Sequence, residues 1–217
     1  MTVERSNLNR RGFLQWLCWA APAALYPVEW VHAAAAPQVV PQVDLRFITR
    51  QMALRRRHEW TDIAPNPARL RAANMNAYDR ITLHHTGEVM RGTTEGAVIN
   101  CLDGVLNHHL RLRFGDIGYH FLIDAGGRIW EGRSLAYWGA HVSGQNERNI
   151  GIVLLGNYEQ QRPTRPQLQA MQQLVQLVRR QYRIAAGQIY GHIDLGRTLC
   201  PGRNLYPQVQ RLNQQAV

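Results

Sequence analysis

The sequence contains no lysine, and all 25 of its basic residues are arginine, against 15 acidic residues. The formal net charge of +10 favours contact with polyanions such as cell-wall polymers, acidic lipid surfaces or nucleic acid. The arginines are scattered, however, and only Arg55-Arg56-Arg57 form a run. No aromatic-and-basic RNA-binding signature or recognition-helix pattern accompanies them, so we predict no nucleic-acid partner.

Long apolar runs are also scarce. The run from Phe13 to Tyr26 is interrupted by Pro22 and falls short of the roughly 20 apolar residues that span a bilayer. It follows Arg10-Arg11 and precedes the small residues at 33–36, which is typical of a cleavable export signal. We therefore predict a signal peptide over residues 1–36 and a periplasmic or secreted protein without a stable membrane anchor.

The start of this signal resembles the twin-arginine export motif, because Arg10-Arg11 are followed after one residue by Phe13-Leu14 and the polar Gln15. A general secretory peptide with two chance arginines is the alternative. Cys18 follows Trp16-Leu17 and so lacks the small preceding residues of a lipoprotein signal.

The remaining chain is predicted to form a linker or N-terminal arm over residues 37–54 and one domain over 55–217. Alternating and helical patterns predict strands at 80–84, 119–123, 128–131, 150–155 and 189–191, and helices at 93–113 and 165–182. This order predicts an α/β domain with helices packed on a central mixed sheet. No sustained heptad is present, so we expect a monomer.

Two segments carry groups suited to a metal. The first holds His84 and His85, whose side chains leave opposite faces of a strand, so that one of them can easily join a given site. The second holds His192 and Cys200, eight residues apart on a glycine- and proline-containing loop. Two imidazoles and one thiolate suit a Zn²⁺ site with an open fourth position, located at one end of the sheet.

Cys200 has a second interpretation. Removal of the signal leaves Cys101 and Cys200 in a compartment that favours disulfides, so a bridge between them is the alternative to a metal ligand.

The ordered motifs of residues 57–207 resemble those of a peptidoglycan recognition protein of the zinc amidase superfamily, which also contains the phage lysozyme-type N-acetylmuramoyl-L-alanine amidases. The matching segments are Arg57-His58-Glu59-Trp60, Leu83-His84-His85-Thr86, Asp116 to Ile123, Glu131-Gly132-Arg133, Gly139-Ala140-His141, Asn149 to Ile152, Gly156-Asn157-Tyr158 and Gly191-His192 to Cys200-Pro201-Gly202.

The resemblance implies roles for individual residues. The zinc ligands would be His84, His192 and Cys200. Tyr119 would donate a hydrogen bond to the developing oxyanion, and Thr198 would assist. The substrate-binding groove would contain His141, Arg133 and Asn149.

The resemblance also implies a reaction. The zinc enzyme would hydrolyse the amide between N-acetylmuramic acid and L-alanine in peptidoglycan or muropeptides. Apolar Val153 stands where the cytoplasmic recycling branch of the superfamily carries a glutamate, which favours the tyrosine-assisted branch. A peptidoglycan-binding protein without catalysis is the principal alternative, and a zinc hydrolase for another amide or glycopeptide is a second one.

Overall fold

The computed structural model describes residues 44–214, so the predicted signal peptide lies outside the described residues. The helices are α1 (Arg46–Thr49), α2 (Glu95–Arg111), α3 (Arg165–Tyr182) and α4 (Tyr206–Gln214). The strands are β1 (Leu54–Arg55), β2 (Arg80–His85), β3 (Phe121–Ile123), β4 (Ile129–Glu131), β5 (Asn149–Leu154) and β6 (Ile189–Gly191). Short 3-10 turns stand at Arg57–Glu59, Pro67–Arg69, Met75–Ala77 and His192–Asp194.

The six strands form one mixed sheet in the order β1-β4-β3-β5-β2-β6. Only the β3–β4 hairpin is antiparallel, and every other neighbouring pair is parallel. The predicted α/β fold is thereby confirmed. β5 lies between β3 and β2 and is buried along its whole length, as its nearly continuous apolar sequence predicts.

Helices cover both faces of the sheet. On one face α3 and α4 pack over Ile81 and Leu83 of β2 and the inward residues of β5. On the other face α2 packs over Leu122, Trp130 and Val153. Because side chains alternate along a strand, the even-numbered residues of β2 lie on the same face as α2. His84 therefore leaves the sheet on the α2 face, at the carboxyl end of β2.

Several predicted elements differ from those observed by one or two residues at their ends, and the differences are largest for β3 and α2. The third strand begins at Phe121, not at 119, because the preceding residues bond to loops: Tyr119 O accepts from Arg133 N, and Gly118 O accepts from Ala140 N. Helix α2 ends at Arg111, two residues before the predicted end. The hairpin between β3 and β4 is confirmed, with Gly127 in its turn at a φ of 82°.

The described part of the predicted N-terminal arm packs against the domain. Leu45 and Ile48 of the α1 region are buried in the α3-side core, and Leu54 begins β1, which pairs with β4. Within residues 44–214 no helix has the length and apolar character needed to cross a membrane.

Candidate metal centre

His84, His192 and Cys200 come together at one end of the sheet. Their ligand-type nitrogen and sulfur atoms all lie within 4.8 Å of one another. β2 and β6 run side by side, so the end of β2 brings His84 next to the turn that follows β6 and begins with His192. The carboxyl ends of neighbouring parallel strands are where open α/β sheets commonly bind ligands.

The donor set fits zinc in chemistry, and the spacing of its Cys200–His84 pair fits zinc as well. Cys200 Sγ lies 3.6 Å from His84 Nδ1. An ion about 2.1 Å from a nitrogen and about 2.3 Å from a sulfur, in tetrahedral geometry, holds those two atoms about 3.6 Å apart. The imidazole rings of His84 and His192 are 4.8 Å apart between centroids. Three protein ligands leave the fourth tetrahedral position open, as in catalytic zinc sites.

The second histidine of the tandem pair faces the other way, as predicted. The backbone N–H of Tyr158 donates to His85 Nδ1 at 3.1 Å. The backbone N–H of His85 points to the site, however, and donates to Cys200 Sγ at 3.4 Å. His85 therefore supports the thiol through its main chain and not through its imidazole.

Cys200 is a buried free thiol, and Cys101 on α2 is also free. The disulfide that the sequence leaves open between these two residues is not formed. Burial raises the pKa of the Cys200 thiol to about 12, whereas the His85 N–H lowers it. A cation among the three groups reverses the effect of burial, because a thiol that binds zinc does so as the thiolate.

The two ligand-type histidines have lowered pKa values. For His84 the first cause is burial, followed by the neighbouring His141 and His192 imidazoles, and the pKa falls well below its ordinary value. The pKa of His192 is also lowered by burial. Neutral imidazole is the form that binds metal, so both residues are ready to act as ligands without losing a proton.

The loop that carries His192 and Cys200 is fixed at several points. Ile193 N donates to Cys200 O at 2.7 Å, which closes the loop on itself. The carboxylate of Asp194 accepts from Gly191 N at 2.7 Å and from the hydroxyl of Tyr206 on α4. These contacts join the two ends of the loop and tie its beginning to β6 and α4.

Two further predicted site residues stand beside this centre. The Tyr119 ring lies 5.2 Å from the His84 ring between centroids, and burial raises the pKa of its hydroxyl. A neutral phenol is thus available as a hydrogen-bond donor. Thr198 is partly buried on the ligand loop, and its Oγ1 accepts from Cys200 N at 3.1 Å.

The three residues predicted to bind substrate lie in the interior and bond to protein groups. Arg133 donates to four backbone carbonyls, those of Phe114, Asp116, Ile117 and Trp138. The side chain of Asn149 accepts from Thr82 Oγ1 and donates to Gln145 O. His141 bonds to His84. Their contact with substrate stays a prediction, and substrate would have to compete with these internal bonds.

One cleft opens beside Tyr119, and another opens beside the segment that precedes His141. One of about 470 Å³ is lined by Tyr119 and by residues of α2 such as His108, His109 and Arg111. A larger one of about 550 Å³ is lined by Arg69, Arg71, Arg113, Arg133 and Trp138, with the Arg71 guanidinium 4.2 Å from the Trp138 ring centroid. The smaller cleft adjoins the metal centre, because it shares Tyr119 with it.

Comparison with known proteins gives the family. The N-acetylmuramoyl-L-alanine amidase family model matches residues 74–203, which is more than half of the chain and includes all three ligand-type residues. The chain belongs to this amidase family. The match ends three residues after Cys200, so the whole centre lies within the family domain.

Relatives of this amidase-family chain include proteins named for recognition. The peptidoglycan-recognition protein SC2 of Drosophila melanogaster is 36% identical over 130 residues, which cover 59% of this chain and 70% of the relative. The peptidoglycan-recognition protein SD of Drosophila simulans is 31% identical over 166 residues, covering 71% of this chain and 83% of the relative.

Solved structures agree with the fold. The Drosophila peptidoglycan recognition protein SD superposes with a TM-score of 0.68 at 28% identity, covering 74% of this chain and 95% of that one. The N-acetylmuramoyl-L-alanine amidase LysC from Clostridium intestinale superposes with a TM-score of 0.58 at 25% identity, covering 75% and 98%. A complex of tracheal cytotoxin with the ectodomains of recognition proteins LCa and LCx superposes at 0.67 and 29% identity, covering 74% and 96%.

Some supporting residues of this amidase-family chain are not apparent from sequence patterns. Asp194 and Tyr206 hold the ligand loop, and the predicted elements include no helix at 206–214. The bond between His84 and His141 joins a strand end to a loop residue 57 positions away. The sequence offers one signal for Asp194, namely that it is a polar residue between His192 and Cys200.

Proposed function

We propose that the protein is a zinc-dependent N-acetylmuramoyl-L-alanine amidase that hydrolyses the amide between N-acetylmuramic acid and L-alanine of peptidoglycan or its fragments. The observation that carries this proposal is the grouping of His84, His192 and Cys200 within 4.8 Å, with the Tyr119 ring beside it. Membership of the amidase family and similarity to a clostridial enzyme of that name support the reaction type.

Three protein groups would hold the metal: His84 through Nδ1, His192 through its imidazole, and Cys200 through Sγ. A bound zinc would supply Lewis acidity there, which would polarise an amide carbonyl and lower the pKa of water. Tyr119 contributes a neutral hydroxyl that donates to the carbonyl oxygen as negative charge develops on it. Thr198, whose Oγ1 already accepts from Cys200 N, keeps its own O–H free to orient a reacting group.

The substrate class is supported by the relatives and by charge. The relatives are named for peptidoglycan recognition, and one structural neighbour is a complex with tracheal cytotoxin. The arginine-lined cleft offers positive charge close to the segment that carries His141. Stem peptides carry carboxylates, which guanidinium groups bind by paired hydrogen bonds.

A peptidoglycan-binding protein without catalysis is the second candidate, and the names of the relatives favour it. The intact ligand set and the adjacent Tyr119 favour the enzyme, because binding alone requires neither a thiolate nor a phenol beside a metal. Metal content and product analysis separate the two functions.

The decisive experiment measures zinc in the purified protein and identifies its products from sacculi by mass spectrometry. We expect one zinc per chain and stem peptides that begin with L-alanine. Removal of the metal by a chelator stops their release, and added zinc restores it. A zinc-loaded protein that retains muropeptides on a column but liberates no such peptide would be a binding protein.

We further propose that the chain is exported through a signal over residues 1–36 and acts as a monomer in the periplasm or outside the cell. Replacement of Arg10-Arg11 by two lysines, with a processing assay, tests the twin-arginine route. Retention of the unprocessed variant together with processing of the wild type supports it, whereas equal processing indicates a general secretory signal.

A further inference from the structure

We propose that His141 is a positioning residue that fixes the proton of His84 on Nε2 and so presents the Nδ1 lone pair to the metal. This inference rests on the proposed zinc site, and it differs from the predicted role of His141 in substrate binding. His141 is only 8% exposed, and its Nδ1 lies 3.0 Å from His84 Nε2. Its other ring nitrogen, Nε2, lies 3.3 Å from the backbone carbonyl oxygen of Asn149.

The last acceptor in this chain of hydrogen bonds determines where each proton sits. The carbonyl of Asn149 can only accept, so His141 must carry its proton on Nε2 to form the bond. A buried neutral imidazole has one donor and one acceptor, which leaves His141 Nδ1 as an acceptor. His84 must then donate from Nε2. Its Nδ1 is left unprotonated and faces Cys200 Sγ at 3.6 Å.

The packing around His141 allows its ring one position. Gly151 of β5 lies beneath the ring, and a Cβ atom there would stand 2.5 Å from His141 Cδ2. A Cβ atom at Gly139 would stand 2.3 Å from the same carbon. Non-bonded carbon atoms do not approach this closely, so the two glycines form a slot that any larger residue would close.

The register of the strands accounts for this relay, by which we mean the hydrogen-bonded chain from His84 through His141 to the carbonyl of Asn149. Gly151 pairs with Thr82 of β2, and Val153 pairs with His84. His141 therefore lies over the sheet one step away from His84, on the same face and within reach of its ring. Metal-ligating histidines commonly donate their second N–H to a partner that sets tautomer and orientation, and loss of that partner typically costs about 10-fold to 100-fold in metal affinity.

The first test is direct. Long-range ¹H–¹⁵N correlation spectra of the imidazoles in the zinc-free wild-type protein report which nitrogen of each ring is protonated. We expect the Nε2–H form for both His84 and His141, identified by comparison with the spectra of the His141→Leu and His84→Gln variants. A His84 proton on Nδ1 in the wild type would refute the relay.

The second test measures zinc affinity by competition with a chromophoric chelator, alongside circular dichroism to verify folding. His141→Leu has similar volume but no acceptor, and we expect about a 10-fold to 100-fold loss of affinity. In the matched His141→Asn variant, Oδ1 takes the place of Nδ1 as acceptor, and we expect most of the affinity to return. Equal affinity in wild type, His141→Leu and His141→Asn would overturn the proposal.

A third variant leaves every hydrogen-bonding group in place. Gly151→Ala pushes the ring out of its slot, and we expect a loss of zinc affinity comparable to that of His141→Leu. Wild-type affinity in a folded Gly151→Ala variant would contradict the positioning role. These readouts are independent of hydrolysis: a protein that binds zinc through the relay but releases no peptide would refute only the proposed function.

Discussion

Cys200 Sγ and His84 Nδ1 lie 3.6 Å apart although 116 positions separate the two residues in the chain. Parallel pairing of β2 with β6 creates this proximity, because Leu83 is in register with Gly191 and each ligand segment begins one residue later. The thiol and the imidazole thus meet where two adjacent strands end.

Replacement of Cys200 by serine is expected to abolish stoichiometric zinc binding, because a neutral hydroxyl is a far poorer zinc ligand than a thiolate. Cys101→Ser is the matched control, since Cys101 is a free, partly buried cysteine on α2. Inductively coupled plasma mass spectrometry on dialysed protein measures the metal. Zinc retained at one equivalent by Cys200→Ser would contradict the assignment of this ligand.

Replacement of Tyr119 by phenylalanine removes one hydroxyl and leaves the ring. We expect unchanged zinc content and about a 100-fold lower kcat on muropeptide substrates, as for loss of one oxyanion donor. Tyr190→Phe is the control, because the Tyr190 hydroxyl bonds to Gln188 and not to the metal centre. Comparable kcat values for Tyr119→Phe and the wild type would exclude Tyr119 from the chemistry.

His120 is expected to make folding sensitive to acid. Burial lowers the pKa of His120 to about 4, whereas the pKa of a histidine in the unfolded chain is about 6.5. Between these values the unfolded chain binds a proton that the folded chain does not. The free energy of unfolding therefore falls as the pH drops from about 6.5 to about 4, with a slope of up to about 1.4 kcal/mol per pH unit from this residue.

Urea titrations of zinc-free protein from neutral pH downwards measure that slope. His120→Gln is expected to show a shallower dependence than the wild type, whatever its stability at neutral pH. His58→Gln, with an exposed side chain, serves as the control. The His120 explanation would be wrong if its variant and the wild type lost stability in parallel.

Replacement of Arg133 by methionine separates a structural role from substrate binding. The Arg133 side chain is 3% exposed and donates to four backbone carbonyls, which methionine leaves without these donors. We expect the free energy of unfolding to fall by about 3 kcal/mol. Arg203→Met, at an exposed ion pair with Glu159, is expected to cost less than about 1 kcal/mol.

Kinetics on the same variant then test the prediction made from the family resemblance. A rise in KM with an unchanged free energy of unfolding would assign Arg133 to the substrate. A loss of stability with a KM close to that of the wild type would leave it as a support for the loop carbonyls.

Much of the fold follows from sequence because its signals are local and repeated. The continuous apolar run at 150–155 predicts the central strand, and the glycines at 126–127 predict the hairpin, as β5 and the β3–β4 pair confirm. Helix α4 has a weaker pattern, since Val209 and Leu212 are its only buried residues. Its packing against β6 is a tertiary contact, and the local pattern of residues 206–214 does not report it.

The site is less predictable where its contacts join distant parts of the chain or involve main-chain atoms. From the sequence alone, a histidine on a loop can be interpreted either as a groove residue or as the partner of another histidine. The contact between His141 and His84 is apparent only in the three-dimensional structure. Likewise the partners of Arg133 are carbonyl oxygens, which every residue has and which therefore leave no mark in the sequence. Candidate ligands can be selected from the sequence by side-chain type, whereas support by backbone atoms cannot.

The sheet ends at β6, which pairs with β2 through only three residues, Ile189 to Gly191. An ion held jointly by His84 and Cys200 would act as a cross-link between the interior of the sheet and this short outer strand. Loading of the metal would then slow amide hydrogen exchange in β6 and α4 more than in β3 or β4. The C-terminal segment would thus report zinc occupancy through its own dynamics, without any substrate.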